Sequence, residues 1–183
     1  MPTVLAILAE GFEEIETVTP IDLLRRAGAI VTVASLGNEI LVTGRCGLVL
    51  RADCSLSALD QTVDGPLFDC LFLPGGPGVV RLRADSRVVA LVRKHASADR
   101  WLAAICAAPT VLQDAGVLAP HRYTAHFSVA AELPNIMSTE RVVADGRILT
   151  SRGAGTALDF GLLLVEKLFD PGKSQEIAKS ISA

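Results

Sequence analysis

The residues best suited to chemistry lie where the apolar run Trp101-Leu102-Ala103-Ala104-Ile105 ends in Cys106 and passes into Ala107, Ala108 and Pro109. A strand turning sharply into a helix there lifts one side chain above the carboxyl edge of a sheet, where amides opening the helix favour negative charge. A thiol so placed should ionise readily. Thiolate is the form that attacks electrophiles and that peroxides oxidise. A lone cysteine is more often small core filling. Two features point away from that here: four alanines at 103, 104, 107 and 108 clear space around the thiol, and Pro109 suits the first turn of a helix.

Three further groups complete a candidate constellation. In Glu13-Glu14-Ile15-Glu16, the first two carboxylates are expected on the outer side of a helix start. Glu16 lies nearer the inward face marked by Ile15 and Val18. Gly75 and Gly76, within Pro74-Gly75-Gly76-Pro77-Gly78, serve either a tight turn or the approach of backbone amides to an oxyanion. They fit neither G-x-G-x-x-G nor a phosphate-binding loop, so nucleotide binding is unsupported. His126 follows Arg122-Tyr123-Thr124-Ala125, expected to be a short strand, and is placed to meet Cys106 as a general base. His95, in a basic segment, is expected at the surface. The His, Cys and carboxylate residues lack ligand spacing, so no metal is expected.

Positioning these groups requires parallel strands with helices between them. Apolar runs alternate with amphipathic segments, predicting strands at 3–9, 29–35, 67–73, 101–105 and 147–151 and helices over 13–27, 85–98, 107–115, 156–169 and 173–181. Gly28 and Gly116 sit where helices end. Pro20 is expected to interrupt the first helix, with Thr19-Pro20-Ile21-Asp22 a fresh start. Residues 38–52 predict a hairpin appended to the sheet, and 142–149 another on the Asp145-Gly146 turn. In such a fold the loops after strands 3–9, 67–73 and 101–105 share one sheet edge, the place where ligands bind. Glu16, the Gly75-Gly76 loop and Cys106 therefore converge.

The 183 residues, half of them hydrophobic, suit one domain over 1–183. A net charge of −3 gives no reason to expect nucleic acid. Arg81, Arg83, Arg87, Arg93 and Lys94 are broken by Asp85 and read as a solvated helix face. The opening apolar run is short and leads into Glu10, a buried strand and not a signal peptide, and no run is long enough to span a bilayer. Cys46, Cys54, Cys70 and Cys106 form no Cys-x-x-Cys pair, so reduced thiols and a cytoplasmic location are expected.

Five segments taken together carry a resemblance. Glu13-Glu14-Ile15-Glu16-Thr17, Asp22 to Gly28, Leu73-Pro74-Gly75-Gly76, Ala103 to Pro109, and Leu149 to Thr156 resemble, in order and end to end, the ThiJ/PfpI superfamily. The resemblance implies a flavodoxin-like homodimer without an organic cofactor. It implies an oxidation-prone Cys106 hydrogen-bonded by a protonated Glu16, an anion pocket at Gly75, Gly76 and the amide of Ala107, and His126 as the site histidine. Implied activities are glyoxalase chemistry on methylglyoxal, deglycation of early glycation adducts, and oxidative-stress sensing with chaperone behaviour. The peptidase branch carries histidine directly after its nucleophile, where this chain has Ala107, which argues against proteolysis. Arg45, Cys46 and Arg51 fall in places shifted from those of the branch with a second interface cysteine.

Overall fold

A computed structural model describes residues 1–59 and 67–183. Strand β1 (Thr3–Leu8) leads to helix α1 (Glu14–Arg26), strand β2 (Ile30–Ser35), the small hairpin β3 (Leu41–Thr43) and β4 (Val49–Arg51), and β5 (Cys54–Ser55). Then come β6 (Cys70–Leu73), α2 (Val79–Ala84), α3 (Ser86–Ser97), β7 (Trp101–Ile105) and α4 (Pro109–Asp114). The chain ends with β8 (Val142–Asp145), β9 (Ile148–Ser151), α5 (Ala157–Leu168) and α6 (Pro171–Ser180). The main sheet runs β5-β2-β1-β6-β7-β9-β8, parallel except for β8 against β9. This is the flavodoxin-like α/β arrangement expected from the alternating pattern.

Strands buried on both faces explain the unbroken apolar runs. Along β1, Val4, Ala6 and Leu8 join the core beneath α1, α5 and α6, while Leu5 and Ile7 join the core on the opposite face beneath α2, α3 and α4. The chain crosses to opposite sides of the sheet after β1 and after β6, so the crevice between their carboxyl ends is the open end of the fold. Two loops are laced together there: Glu13 N donates to Gly75 O at 3.0 Å and Gly78 N to Gly11 O at 3.0 Å.

Several sequence expectations need correction. Pro20 lies inside a continuous α1; it removes one amide from the ladder, but α5 packs closely enough that a Cβ on Gly161 would lie 3.1 Å from Pro20 Cα, and this packing holds the helix together. The hairpin at 41–51 is a separate two-stranded sheet, tied to the first loop by Gly11 N to Thr43 O at 2.8 Å and Arg45 N to Phe12 O at 2.8 Å. Residues 122–125 form no strand; side-chain bonds hold them instead, among them Thr124 N to Thr150 Oγ1 at 2.9 Å. Helix α2, unforeseen in the sequence, precedes α3. His95 is fully buried, its Nδ1 2.8 Å from Leu91 O, and burial lowers its pKa. The basic cluster is a surface feature as expected: Arg81 and Arg93 are exposed, Arg83 bridges Asp114 at 2.6 Å and Glu132 at 2.7 Å, and Arg87 meets Asp85 at 2.6 Å.

Candidate active site

Cys106 is the first residue beyond β7, and its φ of +66° places a non-glycine residue in the left-handed region. That conformation costs on the order of 1 kcal/mol and persists because both backbone groups are pinned: Cys106 N donates to Ser151 O at 2.9 Å, and Cys106 O accepts from His126 N at 2.8 Å. The turn aims the thiol out of the sheet toward the loop after β6. Helix α4 begins only at Pro109 and has six residues, so the groups that reach the sulfur are the backbone amides of Ala107 and Gly76.

Glu16 meets the thiol from α1. Glu13 caps that helix, its carboxylate accepting from Glu16 N at 2.8 Å, and this fixes where the next turn starts. Glu14 accepts from Cys46 N at 2.7 Å. Both carboxylates are therefore buried, contrary to the outward placement expected from sequence, because loop and helix amides need them. Ile15 and Val18, expected inward, are 54% and 45% exposed. Glu16 does face inward, at 1% exposure, within hydrogen-bonding reach of Cys106.

The glycines make this approach possible. A Cβ on Gly75 would collide with the Glu16 carboxylate and with Cys106 Cβ. Gly76, at φ +95°, lies so close that its Cβ would sit 2.6 Å from Glu13 N and Gly11 O. Gly153 reports the convergence from the other side: a Cβ there would lie 3.4 Å from Glu16 Oε1, 3.4 Å from His126 Cδ2 and 4.0 Å from Cys106 Sγ. His126 Nδ1 is 2.9 Å from Ser128 Oγ, and its ring stacks on Phe127 with centroids 4.1 Å apart. The ring thus borders the thiol, and its direct tie to Cys106 runs through the backbone.

The electrostatics are those of two acids sharing one buried space. Burial pushes Glu16 up to about 7, the thiol contact and the amides of Gly75 and Ala154 opposing it and the charge of Glu13 adding to it. Cys106 is pushed up to about 12, by burial first and then by Glu16, against the amides of Gly76 and Ala107. This corrects the expectation of a thiol that ionises readily by virtue of its turn alone. Each group resists ionising while the other is charged, so the two titrate as a coupled pair. Glu16 Oε2, buried, has no hydrogen-bond partner.

A cavity of about 390 Å³ opens over these groups, bounded by Glu16, Cys106, Ala107, His126, Gly76 and Arg45. All six sequence-predicted positions therefore meet at one place, Gly75 lying directly beneath. Arg45, Ser128 and Gly153 were not foreseen as site residues; Gly153 lies within the segment 149–156 that carried the resemblance, while nothing local marks the other two. Among the described residues no group of three His, Cys, Asp or Glu side chains is arranged to hold a metal ion. No described helix is long and apolar enough to cross a membrane.

Known proteins share the fold and nearly the whole length of this chain. It is 41% identical to the Drosophila melanogaster protein dj-1beta, with 97% of this chain and 95% of that protein covered. It is 32% identical to the Caenorhabditis elegans glutathione-independent glyoxalase DJR-1.2, covering 94% and 91%. The solved structure of oxidized Toxoplasma gondii DJ-1 superposes with a TM-score of 0.91 at 34% identity, covering 99% of this chain and 98% of the other. With residues 2–167 also matching the DJ-1/PfpI family as a whole, this chain belongs to the DJ-1/PfpI family.

Proposed function

We propose that the protein is a cofactor-independent glyoxalase or deglycase in which Cys106 is the nucleophile, acting on methylglyoxal-type dicarbonyls or early glycation adducts. The observation that carries this reading is the buried Glu16 carboxyl group within hydrogen-bonding reach of the Cys106 thiol beneath an open cavity. Burial, the unpartnered Oε2 and the nearby charge of Glu13 disfavour a carboxylate on Glu16, against the amides of Gly75 and Ala154, while the amides of Gly76 and Ala107 favour charge on sulfur. The reactive form is then a thiolate beside a neutral carboxyl group. Its sulfur adds to the aldehyde carbon of a dicarbonyl, and the oxygen takes a proton from Glu16 to give a hemithioacetal. Glu16 or His126 moves the hydrogen from that carbon, as a proton, to the neighbouring carbonyl carbon, through an enediol. The product is a thioester of the hydroxy acid, which water cleaves to release the acid and the thiol. Amides of the 75–76 loop and Ala107 face the developing oxyanion. The named glyoxalase activity of the C. elegans relative supports the same chemistry. Incubating purified protein with methylglyoxal should yield lactate without added glutathione; absence of lactate would refute turnover.

A second reading, oxidative-stress sensing or redox-regulated chaperoning through oxidation of Cys106 to the sulfinate, is favoured by the half-buried, cavity-facing thiol and by the solved T. gondii relative being an oxidized form. Mild peroxide should then add two oxygens to Cys106 before any other cysteine. We also propose a symmetric homodimer. Ile15 and Val18 on α1 and Leu48 and Val49 on the 41–51 hairpin are 45–61% exposed, more than scattered surface apolar residues need. Sedimentation should give a dimer at micromolar concentration and a monomer for Ile15→Glu. Reduced thiols of this kind suit the cytoplasm.

A further inference from the structure

Behind His126, away from the Cys106 cavity, lies a second and larger one of about 600 Å³. The two share His126 and Ala154 as a wall, and Gly153, which borders Cys106, Glu16 and His126 on one side, also lines the second. Its remaining surface combines apolar side chains, among them Phe127, Leu133 and Ile136, with two guanidinium groups and no carboxylate. The two arginines differ. Arg141 is neutralised by Asp159 at 2.6 Å and also donates to Gly155 O at 2.9 Å. Arg152 is half-buried, donates from Nη1 to Ser138 O at 3.0 Å, and has no carboxylate within ion-pair distance among the described residues. A partly desolvated cation without a counter-ion is costly unless an anion arrives to meet it. On the rim Phe127 is 82% exposed, an aromatic surface left open beside that charge.

We propose that this cavity is a subsite for the carboxylate-bearing, apolar part of a larger substrate. The class is an N-substituted amino acid whose carbonyl end reaches Cys106 past His126 and Gly153, with Arg152 taking its carboxylate and Phe127, Leu133 and Ile136 its side chain. The proposal rests on the reading that Cys106 attacks a carbonyl, but binding at the subsite does not require turnover. An apolar amino acid lacking a reactive carbonyl is therefore a sufficient probe.

The test is a two-dimensional NMR titration of the full chain with N-acetyl-L-leucine and, separately, with N-acetyl-L-leucinamide, which lacks the charge. The acid should bind about tenfold more tightly than the amide, as a charge-assisted bidentate contact implies, with shifts centred on Phe127, Ala130 and Ile136. Arg152→Gln should bring the acid down to the affinity of the amide, and Arg152→Lys should retain part of the preference. Equal binding of acid and amide to the wild-type protein overturns the proposal, even if the arginine variants do not fold. Shifts confined to other surfaces, or a preference that survives Arg152→Gln, also overturn it. Failure of the lactate assay alongside acid-selective binding refutes turnover and leaves the subsite standing.

Discussion

Cys70 and Cys106 lie on neighbouring parallel strands, one at the start of β6 and the other just past the end of β7, and that difference decides what each can do. Cys70 is fully buried in the core beneath α1 and α5; burial and then the charge of Asp69 push its thiol well above the usual range. Cys106 is pushed up by burial too, but two amides from the loops after β6 and β7 and a carboxyl group from the first turn of α1 converge on it at the sheet edge. A thiol in the middle of the sheet can only pack. One residue past a strand end it acquires partners that manage a charge.

The largest effect expected from this contrast is on turnover. Cys106→Ser should lower kcat/KM for methylglyoxal at least about 10³-fold, roughly 4 kcal/mol of transition-state stabilisation, with little change in the unfolding midpoint. Cys70→Ser should do the reverse, leaving turnover by the folded protein intact while costing about 1–3 kcal/mol for a hydroxyl buried without a partner. Lactate production and urea denaturation of the two variants decide it, and equal losses of activity would erase the distinction between the cysteines.

Glu16 sharpens the contrast because its placement serves chemistry at a cost in stability. A carboxyl group that keeps its proton to about 7 when folded, but releases it near 4.5 when unfolded, contributes stability that is fully present below about pH 4.5 and is lost as pH rises to about 7. The loss amounts to as much as roughly 3 kcal/mol. Glu16→Leu removes this dependence, so the variant should gain on the wild type progressively between pH 4.5 and 7, as thermal or urea unfolding at several pH values will report. A constant difference would contradict the raised pKa. The same substitution removes the proton donor to sulfur, so iodoacetamide should alkylate Cys106 more slowly at pH 7 than in the wild type, with Glu16→Gln in between. Faster alkylation of Glu16→Leu would mean that the shared charge rests on the carboxylate and not on the thiol.

How much of this was legible in the sequence follows from how local each signal is. The strands of the sheet core were readable because β1, β6 and β7 are buried on both faces, and their apolar runs are bounded by charged or turn residues. Cys106 and the 75–76 loop were readable because strand-end position and topology together determine which loops share an edge. The outward placement of Glu13 and Glu14 failed because helical periodicity counts only one helix, whereas Glu14 is drawn inward by the amide of Cys46, thirty-two residues away. The inward placement of Ile15 and Val18 failed with it, both being exposed. His95 looked like part of a charged surface, yet a bond to its own helix at Leu91 O satisfies one ring nitrogen and lets the ring enter the core. Arg45 carries no periodic or motif signal, and Arg152, though inside the 149–156 segment that carries the resemblance, is not marked by it as a site residue; each acquires meaning only from the cavity it lines.

The smallest effect, and the one that separates binding of the proton from its transfer, belongs to His126. Its Nδ1 is occupied by Ser128, which sets the ring's orientation, and the ring borders Gly153 opposite Glu16 and Cys106. Nothing in this arrangement gives the imidazole a direct bond to the sulfur, so it is poorly placed to set the charge on the thiol. It is well placed to take or return a proton on a substrate atom lying in the cavity it shares with both acids. His126→Ala should therefore lower kcat for methylglyoxal by about 10- to 100-fold, the low end of what one acid–base group supplies, while the pH profile of Cys106 alkylation stays as in the wild type. Ser128→Ala, which frees the ring to turn, should give a smaller loss in the same direction. If His126→Ala shifts the alkylation profile and spares kcat, the histidine belongs to thiol activation, and the division of labour between Glu16 and His126 must be reversed.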